Sequence, residues 1–518
     1  MKKHLSLLTM VFFALTSLAQ VHISATDPDS WSVQSALGDY VGQTVIFDDP
    51  VVVCSNASGD LLVSPWRIFE PANQGVAGSA EYNRTVHINS SCAFTLSGVP
   101  SRSNDNPYRC GEKIYNLKAR VVNTSKLTWI SGTWVGNKRS DLEKGIPDLG
   151  DYRLLVCAFN IENYFMTWGS MGADSYAEHQ DQRKKVRKAL KQINADIFGL
   201  VELQVGNEAI AEIVGDLNEN LPDRNYKYFY DSESGTQQKV DFVYDANVVE
   251  PIGTPTGTDA ENIPNRKKMV CFRELATGEK FTFSINHFKA MNTGDEYRRV
   301  NEAKAVVSLY KSYRSNLSKH GGRENDVLFM GDFNCHAKTD PIFVFTDAGM
   351  IDLHRAFHAD SSYSYRMRNA TKTSYIDQAL CNETLYPQVT GMAAYHLNSD
   401  EHDKYNYSHG SDLTMFRCSD HDPVLVGLKL DSTLVYDPTP QINSEDVISG
   451  KSDKLIIQNA HKEGQKSHYA IYSVSGMLQE QAEILSAYFE VSLPKTPGMY
   501  IVYVYFDGVA YQRRVIVR

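Results

Sequence analysis

Apolar residues follow two different rhythms along this chain. Up to about residue 148 they come in short runs such as Val45-Ile46-Phe47, Val51-Val52-Val53, Val86-His87-Ile88 and Ala119-Arg120-Val121-Val122, separated by clusters of Asn, Gly, Ser and Pro. Runs of β-branched residues bounded by turn formers predict strands, so residues 20–148 read as a small all-β barrel or sandwich. From Tyr152 the rhythm changes. Stretches 154–159, 197–203, 281–287, 326–330 and 423–430 are nearly continuous apolar runs, the pattern of strands buried on both faces, and Asp241-Phe242-Val243-Tyr244 is β-type. Residues 180–194 put Val186, Leu190 and Ile193 on one helical face, and 210–221 have the same spacing. Strands alternating with helices over 150–431 predict a layered α/β domain. Residues 432–452, with Pro438 and Pro440, read as a linker. Runs at Leu455-Ile456-Ile457, 469–474, 488–493 and 500–506, punctuated by Gly476 and Gly498, predict a β-sandwich over 453–518.

The first residues bear on compartment. Lys2, Lys3 and His4 precede an apolar stretch over 5–15, and Ser17-Leu18-Ala19 offers a small-residue cleavage site, so 1–19 read as an export leader. The stretch is shorter than the roughly 20 residues a bilayer span needs. The expectation is a secreted, soluble protein without stable membrane insertion, and a monomer. Cysteines stand at 54, 92, 110, 157, 271, 335, 381 and 418, with no CxxC pair to suggest zinc or thioredoxin-like chemistry. Export permits disulfides, but their pairing is not readable. Cys335 reads as a small buried or disulfide-linked residue ahead of a reactive thiol. The net charge of −10 argues against tight sequence-independent binding of nucleic acid through a basic face. It leaves room for an enzyme that holds its substrate briefly at a metal.

Candidate chemistry lies where the predicted strands end. Asn160 and Glu162 follow 154–159, Glu202 ends 197–203, and His287 ends 281–287 beside Asn286 and Lys289. Asp332 and Asn334 follow 326–330 across Gly331, Asp377 lies in Tyr375-Ile376-Asp377, and Asp420 and His421 precede 423–430. Any one of these is ordinary as a turn former or cap. Six strand ends that each carry a carboxylate, amide or imidazole converge on one edge of a layered sheet, where ligand sites form. Carboxylates crowded together repel unless a cation intervenes. Asn160, Glu162, Glu202 and Asp420 are a hard oxygen set suited to Mg²⁺, with Ca²⁺ or Mn²⁺ as alternatives.

Five motifs occur in order: Phe159-Asn160-Ile161-Glu162-Asn163-Tyr164-Phe165, Gly199-Leu200-Val201-Glu202, Asn286-His287-Phe288-Lys289, Gly331-Asp332-Phe333-Asn334 and Ser419-Asp420-His421-Asp422-Pro423. The series resembles the DNase I-like endonuclease/exonuclease/phosphatase superfamily. Tyr363-Ser364-Tyr365, Tyr375-Ile376-Asp377 and Leu397-Asn398-Ser399-Asp400-Glu401 resemble its bacterial extracellular nuclease branch. The resemblance implies a four-layer α/β/β/α sandwich, an OB-like barrel at 20–148, and a C-terminal domain similar to type IX secretion sorting domains that would engage export machinery. It also implies roles. Glu202, with Asn160, Glu162 and Asp420, would hold a divalent cation; Asp332, helped by Asn334, would deprotonate the attacking water. His287 and His421 would contact the phosphate, and Asp377 would orient His421. Three positions depart from the branch: Gln378 stands where His is usual, Leu203-Gln204-Val205-Gly206 where a Glu-Asn pair tends to follow, and Cys335-His336 replace a small-aromatic pair.

Nucleic acid is the expected substrate, with Trp168 stacking on bases and Lys289, Arg298 and Arg299 contacting the backbone. The alternatives are a lipid or inositol phosphate phosphodiesterase, and an inactive surface-binding protein on the same fold.

Overall fold

The computed structural model describes residues 20–169, 171–232, 235, 237–315, 325–358, 361–367, 372–410, 412–431, 448–451, 454–458, 467–473, 478–484, 488–494, 496, 498–506 and 509–517. The predicted leader and residues 432–447 of the predicted linker lie outside these described residues. Two compact units divide the chain, and the division follows contacts more than chain order. One takes residues up to Arg67, Ser90–Ser103 and Tyr108–Asn137; the other takes Ile68–Asn89, Asn104–Pro107 and everything from Lys138.

In the first unit, strands Val51–Ser58, Asp60–Ser64, Phe94–Ser97, Lys126–Val135 and Lys113–Asn123 pair successively, and the last returns to the first, so the five close on themselves. Thr44–Phe47 and Val21–Ile23 extend the sheet beyond Lys113–Asn123. Alternate residues point inward: Val51 and Val53 pack with Leu61, Val63, Phe94, Leu96 and Ile114. Phe47 stacks on Phe94 with centroids 5.3 Å apart.

The run Val86-His87-Ile88 is not a strand. Val86 and His87 close the helix Ala80–His87, which belongs to the second unit. Its Ser79 cap accepts the Tyr82 N–H at 3.2 Å, and Val86 faces solvent. A local cap with Glu81 early and Arg84 late outweighs two β-branched residues.

The second unit carries two six-stranded mixed sheets. In the first the order is Tyr226–Tyr228, Gln238–Asp245, Ile197–Gln204, Leu154–Tyr164, Val424–Leu428, Val389–Ala394. In the second it is Met350–Asp352, Asp377–Asn382, Val327–Asp332, Lys280–His287, Lys267–Glu274, Val249–Gly257. The two orders match position for position. In each, the central pair is parallel and its flanking pairs are antiparallel. In each, a helix connects the parallel pair: Tyr176–Ile193 in one, Glu296–Ser315 in the other.

Side-chain alternation sets the packing. Leu154, Val156 and Ala158 share a core with Phe281, Phe283, Ile285, Leu328 and Met330 of the other sheet. Leu155, Cys157 and Phe159 pack instead with Val186, Leu190, Ile210 and Ile213 of helices Tyr176–Ile193 and Glu208–Asn220. On the other sheet, Val327 and Phe329 pack with Val306, Tyr310 and Phe345 of helices Glu296–Ser315 and Asp340–Asp347. The sheets approach closely at Gly199, where a Cβ would lie 2.7 Å from Ile285 Cδ1. The predicted mixed α/β character therefore holds.

Near the C-terminus, strands Ile448–Lys451, Lys454–Gln458 and Tyr488–Ser492 form one antiparallel sheet, and four strands between His468 and Val517 form another. Leu455, Ile457, Tyr469, Ile471, Val502 and Val504 make their core. All eight cysteines are buried. Among the described residues no helix is long and apolar enough to cross a membrane.

Gly331 sits at φ 122°, beside the neighbouring strand, and a Cβ there would lie 2.1 Å from the Asn286 carbonyl oxygen. Gly331→Ala should cost about 1–3 kcal/mol of stability, read as a lower urea midpoint at unchanged slope. An unshifted midpoint would contradict this close approach.

Candidate active site

Two adjacent irregularities in the first sheet shape the cleft. Along the parallel pair, Asn160 is opposite Val201 and Tyr164 opposite Leu203, so Ile161, Glu162 and Asn163 bulge against Glu202 alone. On its other side Glu202 is skipped again, between the pairs Val240–Val201 and Lys239–Leu203. Glu162, Asn163 and Glu202 take φ of 55°, 49° and 68°. Asparagine tolerates this left-handed backbone, but glutamate rarely adopts it, at about 1–3 kcal/mol each. Local bonds hold the strained residues. The Asn163 N–H donates to Glu202 Oε2 at 2.9 Å, the Glu162 N–H to Asn160 Oδ1 at 3.1 Å, and Asn406 Nδ2 to Glu162 Oε2 at 2.8 Å. Bulges re-aim side chains beside active sites. Here they turn acids into a cleft of about 360 Å³ lined by Glu162, Asn163, Gly172, Glu202, Tyr365, Tyr407 and Asp420.

The second sheet supplies its residues from one rung. His287 is register partner to Asp332, and Asp332 to Asp377, across three neighbouring strands. The Asp332 carboxylate is buried and well bonded. Its Oδ1 accepts the Asn334 N–H at 2.8 Å; its Oδ2 accepts Asn160 Nδ2 at 3.1 Å and Asn334 Nδ2 at 3.2 Å. That same Oδ2 lies 3.8 Å from both His287 Nε2 and His421 Nε2. His287 Nε2 is also 3.7 Å from Glu202 Oε1. His421 Nδ1 bonds Asp377 at 2.9 and 3.0 Å, and Ser364 Oγ donates to Asp377 Oδ2 at 2.6 Å. The Tyr365 ring covers His421 at 4.6 Å between centroids.

The two histidines are driven apart electrostatically. Burial opposes charge on His421, but Asp377, Asp332 and Asp420 outweigh it and hold the imidazole well above its usual value, so it stays cationic at neutral pH. For His287, burial is reinforced by the nearby Arg266 and His421 charges, so it is held neutral. Its Nδ1 is buried with no partner. Burial, then Asp420, push the Glu162 carboxyl up to about 8. Burial, against the pull of His421, pushes Asp332 up to about 7. Glu202 is raised by burial and then by Asp420.

The structure thus brings together Asn160, Glu162, Glu202, His287, Asp332, Asn334, Asp377, Asp420 and His421. The four residues expected to grip substrate stand differently. Arg299 is buried and donates to the Lys289 and Ala290 carbonyls at 3.4 and 3.2 Å, which stiffens the chain after His287. Lys289 is half-buried, with Nζ 4.0 Å from Asp295. Arg298 is taken up by Glu261 at 3.2 Å. Trp168 is 46% exposed and meets Tyr176 edge-on at 5.6 Å. Its loop is pinned by Gln204 Oε1, which accepts the Met166 and Thr167 N–H groups at 2.7 and 3.1 Å. Gln378 donates to the Cys335 and Tyr375 carbonyls at 3.0 and 3.3 Å, away from His421.

Other site residues were not singled out from sequence. Arg266 is attracted to Glu202 and Asp332 and bonded to Gln238 Oε1, and its carbonyl accepts the His287 N–H at 2.7 Å. Arg417, at φ 56°, is buried between Glu162, Asp420 and Asp403, and bonds Asp403 Oδ1 at 2.8 Å. Asn406, Ser364, Tyr365 and Tyr407 complete the walls. Ser364 and Tyr365 fall in the motif Tyr363-Ser364-Tyr365 but were given no role there; Arg266, Arg417, Asn406 and Tyr407 stand in no pattern distinct from ordinary loop polarity.

The donor set fits a divalent cation. Glu202, His287 and Asp332 offer ligand atoms within 4.8 Å of one another, and so do Asp332, Asp377 and His421. The second group is disqualified because His421 is cationic and already bonded to Asp377. Glu162, Glu202 and Asp420 line the open side of the cleft, and Asp420 adds to burial in raising both glutamates, so the three acids are close enough to share one cation. Such a hard set suits Mg²⁺, Ca²⁺ or Mn²⁺.

No family model matches the sequence, and no curated protein matches it. Among solved structures, the chain is similar to an endonuclease/exonuclease/phosphatase family protein from Bacteroides thetaiotaomicron at 18% identity, covering 54% of this chain and 97% of that one, with a TM-score of 0.38. It is similar to a mannosyl-6-phosphatase from the same organism at 19% identity, covering 54% and 100%, TM-score 0.38. It is also similar to the human Nocturnin catalytic domain at 14% identity, covering 55% and 96%, TM-score 0.39. Likeness at this level identifies neither an activity nor a substrate for this chain.

The raised carboxyls make stability pH-dependent. Glu162 and Asp332 ionise near 4.5 and 3.8 when unfolded but near 8 and 7 when folded. The folded state therefore binds more protons between these values, and their contribution is present at acid pH and lost as pH rises through 7 to 8. Metal-free protein should melt at progressively lower temperature between about pH 5 and about pH 8.5, and added Mg²⁺ should raise the melting temperature more at the higher pH. Equal Mg²⁺ shifts at both pH values would count against a cation among these acids.

Proposed function

We propose that this chain is a secreted, divalent-metal-dependent phosphodiesterase, an extracellular nuclease acting on DNA and possibly on RNA as well. The carrying observation is the placement of Asp332 Oδ2 between two imidazoles of opposite protonation, 3.8 Å from each Nε2. We read the paired sheets and their helices as a DNase I-like four-layer sandwich over 150–431. The closed five-strand ring reads as an OB-like barrel, and the C-terminal sheets as a sorting-like domain that would engage export machinery. The working species is taken as a monomer.

Glu202, Asp420, Glu162 and Asn160 are the residues that would hold the cation. When bound, it supplies Lewis-acid stabilisation of charge on the phosphate. Asp332, as carboxylate, accepts the proton of the attacking water, with Asn334 and Asn160 fixing its orientation. His421, charged and aimed by Asp377, presents Nε2–H to a phosphate oxygen. His287 stays neutral, and its Nε2 faces the same point. Arg266 adds positive charge on that side. The result is direct hydrolysis by water, without a covalent intermediate. An inactive binding role is disfavoured, since strained backbone and mutually raised carboxyls cost stability that a binding scaffold has no reason to keep.

One observation favours a second substrate. The cations expected to follow a polynucleotide backbone are otherwise engaged: Arg299 on carbonyls, Arg298 on Glu261, Lys289 beside Asp295. A compact phosphodiester such as a lipid or inositol phosphate head group needs no such row.

Purified protein incubated with plasmid DNA, RNA, sphingomyelin and a chromogenic phosphodiester, with Mg²⁺, Ca²⁺ or EDTA, separates these readings. Cleavage of nucleic acid that EDTA abolishes is expected; cleavage confined to the other substrates would sink the nuclease reading. His421→Ala and Asp332→Asn should each lower kcat by at least about two orders of magnitude. Near-normal turnover in either would break the assignment of roles.

A further inference from the structure

Four consecutive residues, Asn398, Ser399, Asp400 and Glu401, are all buried and all polar. Between them they bind three other segments, with Asn398 and Ser399 sharing the one that ends at Asp422. Glu401 takes the Arg139 guanidinium through two bonds, of 3.0 and 2.6 Å. Asp400 Oδ2 accepts the Tyr363 hydroxyl at 2.7 Å. Ser399 donates its N–H, at 2.9 Å, and its hydroxyl to the Asp422 carboxylate. Asn398 does more. Its carboxamide Nδ2 donates to the His421 carbonyl at 2.6 Å, and its Oδ1 accepts the Cys418 N–H at 2.9 Å. Its own N–H donates to Asp422 Oδ1 at 2.7 Å.

One carboxamide therefore spans both ends of the loop that carries Ser419, Asp420 and His421. From the opposite side Ser419 Oγ donates to the Asn160 carbonyl at 2.6 Å and accepts the His421 N–H at 3.2 Å. The loop hangs between a strand of the first sheet and Asn398. We propose that Asn398 is a positioning residue, whose carboxamide sets the 418–422 loop so that Asp420 and His421 face Asp332 and Asp377. It reaches none of the reacting atoms. Only an amide of this length offers one donor and one acceptor in fixed relation. Aspartate keeps the acceptor but sets an oxygen against the His421 carbonyl.

This assignment rests on the phosphodiesterase reading for its kinetic consequence, but its geometric consequence is independent of activity. Wild type, Asn398→Asp and Glu401→Gln are compared. Asn398→Asp should stay folded by circular dichroism, lose about 10- to 100-fold in kcat and keep KM within about twofold, because substrate contacts remain while the charged groups shift. Glu401→Gln should lower the melting temperature while keeping kcat at a temperature where the protein is folded. In ¹⁵N-histidine spectra the His421 Nδ1–H proton, bonded to Asp377, should weaken or move in Asn398→Asp and be unchanged in Glu401→Gln. Should Asn398→Asp fail to fold, Asn398→Ser replaces it with the same expectations, since its hydroxyl cannot reach both partners. Unchanged kcat and an unmoved His421 proton would overturn the proposal, as would kcat losses that track melting temperature equally in both variants. If wild type cleaves no phosphodiester, the functional reading fails alone, and the histidine spectra still decide the positioning.

Discussion

A buried carboxylate placed between two imidazoles constrains everything around it. Asp332 has left water, so its charge must be met by hydrogen bonds and by a cation close by. Asn160 and Asn334 supply the bonds, and His421 supplies the nearest positive charge. That charge in turn exists because Asp377, Asp332 itself and Asp420 hold the proton on His421 against its burial. Removing either Asp377 or Asp420 would weaken the hold on that proton and so the charge that Asp332 faces. The site is thus a chain of mutual dependence, in which no ionisable group keeps its state by itself.

The fold meets this demand by duplicating one arrangement. Each sheet has a parallel central pair joined by a helix, and both pairs end at the same place: Asn160 and Glu202 from one, His287 and Asp332 from the other. The two contributions differ in how their side chains are aimed. His287, Asp332 and Asp377 need only regular register, because neighbours on one rung point the same way. Glu162 and Glu202 reach the cleft through bulges and left-handed backbone, at some cost in strain. The regular sheet fixes His287, Asp332 and Asp377; the irregular one brings acids to an open edge.

Legibility from sequence followed this difference. Continuous apolar runs located the buried strands because sheets covered on both faces show no alternation, and polar residues at their ends located the rung. The bulges were invisible, since nothing in Phe159-Asn160-Ile161-Glu162-Asn163 distinguishes a left-handed glutamate from an extended one. The duplicated topology was equally hidden, because matching strands share no residues, only pairing order. Val86-His87-Ile88 misled because β-branched content was weighed without the Ser79 cap seven residues earlier. Arg299 misled because a helix face that looks solvated is buried where it supports the carbonyls after His287. Charge counting cannot tell a free guanidinium from a committed one.

Committed cations also bear on how substrate reaches the cleft. Its lining is acidic, and the nearest positive groups, Arg266, Arg417 and His421, are each partly or wholly buried and paired with acids. An approaching phosphate would therefore meet repulsion before it met attraction, unless the acids were first neutralised by a bound cation. On the proposed reading, this charge arrangement implies an order of binding, cation before phosphate. Two aromatic rings, Tyr365 and Tyr407, wall the same cleft. On the proposed phosphodiesterase reading, polar groups inside the cleft are committed to charge, and these aromatic faces would accept flat or apolar groups without demanding a fixed hydrogen-bond pattern.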